Sequence, residues 1–292
     1  MELFRALATL AEAPAPEHAR LAELLDLPGA PQRPDGAEYA ELFLFQLYPY
    51  ASVYLGEEGK LGGEARDRVA GFWRALGREP PAEPDHLAVL LALYADLCDL
   101  EQGEKDPART LLWRNSRQAL LWEHLLSWLP PYLDKLADIG SPCYQAWGRL
   151  VEESLLAEAT ELGRLDRVPL QIREASPLPD LEVGGLAAFL DDILAPRRCG
   201  MILVRADLIR AAGDLDVPVR IGERRAVLET LLSQEPVGTL RWLEREALLT
   251  ASRHRAWHER VGPVADFWVG QAEGAAARLA RAREEHDAHT GD

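Results

Sequence analysis

His254 and His258 stand one helical turn apart on a stretch with helical patterning, the spacing at which two imidazoles can share one metal ion. A zinc site needs further donors, and neither an HExxH pattern nor a nearby cysteine supplies them. His286 and His289, in the polar tail, form a second pair without a framework. Cys98, Cys143 and Cys199 stand far apart with no CxxC spacing, and read as small buried apolar side chains. The stretch LGEEGKLGG has the glycines of a phosphate loop without the GxxxxGKS/T register, and there is no GxSxG elbow. Arg197 and Arg198 precede an apolar run, but the pair is internal and flanked by helical patterns, so it reads as structure. No catalytic residue, metal or cofactor is therefore expected, and the chain reads as a protein that binds and not as an enzyme.

Other residues suit binding. Asp85 and His86 fall where a helix opens after a proline-dense connector. A carboxylate in the first turn complements the positive end of the helix dipole and can accept exposed N–H groups, while an imidazole exchanges donor and acceptor roles near neutral pH. The pair is either a simple cap or part of a groove for a peptide. His124 and Trp128, four apart, face the same way; they are either satisfied inside an interface or line that groove. Tyr48, Tyr50 and Tyr54, close to glycines, carry the same ambiguity and would suit an adaptable recognition surface.

The elements that must hold these residues are helical. Apolar positions recur at three- and four-residue spacing almost throughout, without sustained strand-like alternation, which places the chain in the all-α class. Short helices are expected over Glu2–Leu10, Glu17–Leu27 and Ala37–Leu47, the last stopped by Tyr48-Pro49. An amphipathic helix follows over Glu64–Leu76, then a stiff hinge over 78–86 with prolines at 80, 81 and 84. The helix opening near Pro84 is apolar on nearly every side and so central. Asp106-Pro107 caps a helix continuing to Trp128, Pro130-Pro131 starts a short one, and Ser141-Pro142 starts another that reaches Leu162. The expected organisation is a helical body over 1–165, a linker over 166–182 and a helical extension over 183–292. In the extension, helices are expected over Leu186–Leu194, Arg205–Ala212, Glu223–Ser233, Val237–Val261 and Ala265–Glu285, before a frayed tail.

Net charge narrows the partners. At −16 the chain's field repels nucleic-acid phosphate and attracts a cationic peptide. The longest apolar run, Leu87–Ala95, falls far below the roughly 18 residues needed to span a bilayer, and the N-terminus lacks the pattern of an export signal. Membrane insertion is not expected, and the cytoplasm is the expected location.

Two stretches carry a family likeness. EPDHLAVLLALYADL, Glu83 to Leu97, is similar to the E-P-x-D-H element and long apolar helix of the TorD/DmsD/NarJ chaperones. LLWEHLLSWLPPYLDKLADIGSPCYQAWGRLVEESL, Leu121 to Leu156, is similar to the family's H-L-x-x-W-L-P block. With YPYASVYLGEEG, Tyr48 to Gly59, the resemblance covers about residues 38–160. Here Pro84 and Asp85 are adjacent, where the usual element has a residue between them, so the likeness transfers best at Asp85 and His86.

The resemblance implies a cytoplasmic maturation chaperone. Such a protein would bind the apo-form of a molybdopterin oxidoreductase subunit, often through its N-terminal twin-arginine leader, until cofactor insertion is complete. Its peptide-binding residues would include Glu83, Pro84, Asp85, His86, Tyr48, Tyr50, Tyr54, His124 and Trp128. An alternative is a helical scaffold or adaptor that recognises another protein through its C-terminal region, and a homodimer is left open.

Overall fold

The computed structural model describes residues 1–164, 167–179, 185–220 and 222–290, without the side chains of 289 and 290. As expected, the described residues are overwhelmingly helical and contain no strand. The chain divides into two compact units: Met1–Ser52 with Leu61–Gln171, and Val53–Lys60 with Ile172–Asp292.

The first unit opens with α1 (Glu2–Leu10) and α2 (His18–Leu24). Next, α3 (Gly36–Tyr39) widens into a π-helical stretch over Ala40–Gln46, and α4 (Ala51–Leu55) straddles the boundary between the units. There follow α5 (Gly63–Ala75), α6 (Leu87–Gly103) and α7 (Pro107–Ala119), α7 running into a second π stretch over Leu120–Leu125. Then come α8 (Leu129–Ile139) and α9 (Pro142–Leu162).

Helix α6 is the central pillar. Its buried residues include Leu87, Leu90, Leu91, Tyr94, Leu97 and Cys98, and it packs on α1 and α7. Phe4 of α1 meets the Tyr94 ring at 4.8 Å, and the Trp147 indole of α9 donates to the Leu7 carbonyl at 3.1 Å. The caps on α7 and α9 fall where the local chemistry places them. Asp106 accepts from the Ala108 N–H at 3.0 Å, Ser141 caps Tyr144, and each helix carries proline in its first turn.

Two expectations fail here. The helix expected to run from Pro107 to Trp128 ends at Ala119, and a π stretch then closes with the Leu126 N–H on the Leu121 carbonyl at 2.7 Å. The stretch closed by that five-residue bond buries Leu120, Leu121, Trp122, His124 and Leu125. Helix α6 opens at Leu87, not near Pro84: its N-cap is His86 in extended backbone, so Asp85 lies outside the first turn.

A buried arginine with three carboxylates around it braces this unit. Arg117 of α7, 3% exposed, meets Glu101 at 3.0 Å, Glu158 at 3.2 Å and Glu161 at 2.7 Å, and the Tyr94 hydroxyl donates to Glu158 at 2.6 Å. These bonds tie α6, α7 and α9 to one another.

The second unit contains α10 (Leu170–Arg173, which starts in the first unit), α11 (Gly185–Ile193), α12 (Pro196–Cys199) and α13 (Arg205–Asp214). It continues with α14 (Arg224–Gln234), α15 (Pro236–Arg255), α16 (His258–Val261) and α17 (Pro263–Thr290). Helix α10 falls within the stretch read as a linker, part of which lies outside the described residues; α17 runs on through Thr290, beyond the expected end near Glu285.

This unit has its own apolar core, including Phe189, Leu190, Leu208, Leu228, Leu243 and Leu279. Ala247 and Ala251 of α15 and Ala272, Ala275 and Ala276 of α17 are buried where the two helices run together. Gly200 must be glycine: its φ is +71°, and a Cβ there would stand 2.4 Å from the Ala272 nitrogen. The segment 53–60 groups with this unit because Gly59 presses on the backbone of Leu194 and Ala195, where a Cβ would come within 2.9 Å.

The pair His254 and His258 does not converge. Helix α15 ends at Arg255, so the two residues do not share one helix. His254 is buried with Nε2 3.0 Å from the Gly200 carbonyl, whereas exposed His258 sits 2.6 Å from Asp266. The His289 side chain lies outside the described residues. Of the paired arginines, Arg197 is buried and Arg198 is bound to Asp192 at 3.0 Å. No described helix is long and apolar enough to cross a membrane.

Candidate functional site

The proline-dense connector and the segment before α4 are sewn together by backbone. The Leu87 N–H donates to the Pro49 carbonyl at 2.8 Å and the Ala51 N–H to the Asp85 carbonyl at 3.0 Å, around an isolated antiparallel bridge between Tyr50 and His86. The Asp85 carboxylate, 2% exposed, accepts the Ser52 N–H at 3.0 Å, and the Ser52 hydroxyl accepts the Gly62 N–H at 3.1 Å. Asp85 thus serves the start of α4, not that of α6. His86 takes the α6 role: its Nδ1 accepts the Ala88 N–H at 3.1 Å, which puts the proton of the neutral ring on Nε2.

Around this node the side chains form an aromatic and acidic surface. The Tyr50 ring stands edge-on to His86 at 4.7 Å, and its hydroxyl donates to exposed Glu83 at 2.8 Å. Burial, then the hydrogen bond to Glu83, pushes the Tyr50 phenol up. Burial lowers the His86 imidazole, opposed by the charges of Glu83, Glu12 and Asp85. Tyr39 of α3 is raised by burial and then by Glu12 and Glu83. Glu12, just past α1, and Tyr39 therefore belong to the same neighbourhood as Tyr50, Glu83 and His86. Neither was read from the sequence, because nothing local links positions 12 and 39 to position 85.

Of the residues picked out in the sequence, Tyr50, Glu83, Pro84, Asp85 and His86 are brought together in this way; Pro84 is buried, and half-exposed Tyr48 is two residues from Tyr50. His124 and Trp128 meet each other, since the Trp128 indole donates to the His124 carbonyl at 2.8 Å. Trp128 is wholly buried and its ring packs on Tyr132 at 5.1 Å, and His124 packs on Phe72 at 4.9 Å. Tyr54 is wholly buried and belongs to the second unit.

A groove of about 480 Å³ runs along α1, lined by Leu3, Ala6 and Thr9 together with Leu21, Leu24 and Leu25. Leu3 and Leu24 are exposed in it. Arg5 on its wall is bound to Asp96 at 3.0 Å and Asp99 at 2.7 Å.

The node can be tested by stability. Replacing Asp85 with alanine strands the buried Ser52 N–H, at an expected cost of about 1–3 kcal/mol in urea unfolding. Asparagine, which keeps an acceptor, should recover most of it; equal losses for both would show that the hydrogen bond is not what Asp85 contributes.

Comparison with known proteins adds to this geometry. Residues 7–134 match the family model described as nitrate reductase delta subunit. The chain is 32% identical over 143 residues to the chaperone protein TorD of Shewanella amazonensis, covering 37% of this chain and 55% of that one. It is 32% identical over 114 residues to the chaperone protein TorD of Vibrio vulnificus, covering 35% and 51%. With the chaperone protein TorD of Shewanella pealeana it shares 30% identity over 139 residues, covering 42% and 58%. The chain thus spans little more than half the length of these relatives. No solved structure matches it significantly. The matched stretch contains the Tyr50, Asp85 and His86 node and the π stretch with His124, and over this part the chain is similar to the TorD/DmsD/NarJ family of redox-enzyme maturation chaperones.

Proposed function

We propose that this chain is a cytoplasmic chaperone for a molybdopterin-containing oxidoreductase, acting by binding and not by catalysis. It would hold the apo-form of the enzyme subunit, with the subunit's N-terminal twin-arginine leader, until cofactor insertion. The observation that carries this reading is the family match over residues 7–134, within which the Asp85–His86 node adjoins an aromatic and acidic surface. The groove along α1 supplies apolar contact for the uncharged part of a leader. Carboxylates around it would speed the approach of a cationic peptide and select against acidic ones.

Deleting the gene should leave the client oxidoreductase synthesised but short of cofactor, read as molybdenum content of the purified enzyme. Full occupancy without the chain would overturn the proposal. Binding of a synthetic peptide with two consecutive arginines and an apolar stretch should show association slowed by salt far more than dissociation is hastened. A salt-independent on-rate would remove the acidic surface from the mechanism.

The second unit favours an additional reading. It has a core of its own, and apart from Val53–Lys60 it lies outside the matched stretch. A scaffold or adaptor role through this unit would appear as client capture lost through substitutions on its surface while leader binding persists.

A further inference from the structure

We propose that the outward face of α7 docks an amphipathic helix of a partner protein, one whose apolar ridge is bordered by carboxylates. The face shares no residue with the Asp85–His86 node or with the groove along α1, and the inference stands whether or not the chain binds a leader.

Helix α7 is inside out. Among its described residues the buried one is an arginine, Arg117, enclosed with three carboxylates. Its leucines face solvent instead: Leu111 is 58% exposed and Leu112 56%. Together with exposed Ala108 and Asn115 they make a side of the helix that carries no charge, in a chain where more than a quarter of all residues are charged. An exposed leucine by itself is ordinary on a protein surface. A helix that turns its charge inward and its leucines outward is what a contact surface without its partner looks like. The exposed pair Leu248 and Leu249 on α15 differs, because that helix already buries Leu240, Trp242 and Leu243 in its own unit.

Charge selects the occupant. In the ion pairs at the two edges of the face the cation is the outer partner: the Arg109 side chain is 70% exposed against 21% for Glu104, and Arg114 44% against 12% for Glu101. Exposed Lys105 adds a third cation just before the helix. Positive charge therefore borders Leu111 and Leu112 on both sides, although the chain as a whole carries −16. A partner with carboxylates along its apolar ridge gains at both edges. A helix fits, because Leu111 with Asn115 and Ala108 with Leu112 form two i, i+4 ridges with a groove between them. A second copy would set cations against cations, and one helix face about 20 Å long and about 10 Å wide falls well below the roughly 800 Å² per partner of a stable dimer. Two leucines are too little apolar area to hold a chain of this charge on a lipid surface.

The test titrates the full chain with a fluorescent synthetic helix of about four turns, leucine and alanine on one side and glutamate along both borders. A control peptide carries lysine at those borders. Net charge alone would favour the lysine peptide; the face of α7 should reverse that and bind the glutamate peptide at least about tenfold more tightly. Replacing Leu111→Ser and Leu112→Ser together should weaken the glutamate peptide by about tenfold or more, and Arg109→Gln by roughly threefold. The pair Leu248→Ser and Leu249→Ser should leave it unchanged. All these positions are exposed, so urea midpoints should stay at the wild-type value and lost binding then reports the face itself. Failure of the glutamate peptide to bind, equal or tighter binding of the lysine peptide, or equal weakening by the α15 pair would overturn the proposal. A wild-type dimer in sedimentation that Leu112→Ser turns into a monomer would assign the face to a second copy. Binding to vesicles of phosphatidylcholine and phosphatidylglycerol, lost in the same variant, would assign it to a lipid surface, and either result overturns the partner helix.

Discussion

Replacing Arg117 with methionine should cost the first unit about 3–5 kcal/mol, because it leaves acidic groups buried without their counter-charge. The guanidinium is almost wholly enclosed and faces Glu101, Glu158 and Glu161, while Tyr94 adds a hydrogen bond to Glu158. Burying ions is expensive, so an intact cluster adds little net stability, whereas a cluster broken on one side loses much. Hydrogen exchange isolates the effect: amide protection in α6 and α9 should fall on the order of a hundredfold or more, with α15 and α17 much less affected. Replacing Glu158 with methionine in the same chain should recover part of the loss. A single substitution that left protection unchanged would mean that α6, α7 and α9 are held by apolar packing alone.

Acid should loosen the same unit through His124. Burial pushes its imidazole down to about 4 from an ordinary 6.5. The Gln171 amide lies 3.1 Å from Nδ1, which suits a neutral ring accepting there. The folded state therefore prefers the unprotonated ring, and the unfolded chain binds the proton more readily. The contribution is fully present above about pH 6.5, declines as pH falls towards about 4, and levels off below that. Its full size is on the order of 3 kcal/mol. Urea midpoints between pH 7.5 and 4 should trace the decline, and His124→Gln should flatten much of it. A residual slope of the same sign should persist, since burial also lowers His86. An identical slope in wild type and variant would exclude His124 as its source.

How far the sequence announces this molecule depends on the range of the interaction concerned. Caps were legible because a cap is local: Asp106-Pro107 and Ser141-Pro142 carry the side chain and the proline that a first helical turn needs. The fold class was legible from apolar spacing for the same reason.

Asp85 was misplaced because its partner is Ser52, 33 residues away, while the capping fell to histidine, which is seldom assigned that task. The two π stretches leave no mark in an α-helical pattern, since the five-residue bonds that close them answer to packing. Arg117 reads as an ordinary surface arginine on α7 until α6 and α9 bring it three carboxylates. In the candidate site, Asp85, His86, Tyr50 and Glu83 were found from their own stretches of chain. Glu12 and Tyr39 were missed because only tertiary structure brings α1 and α3 to them.

The excursion of Val53–Lys60 into the second unit has a consequence for inheritance and engineering. The polypeptide crosses between units at 52/53, again at 60/61 and a third time at 171/172, like a thread passed back through cloth. A stop codon after Gln171 would not release a finished first half. It would leave Val53, Tyr54 and Leu55 at the end of α4, all buried in the intact chain, without the rest of the unit they group with, and a shortened protein is expected to aggregate. Separating the halves therefore calls for two edits, one at the end and one that rewrites this segment in polar residues.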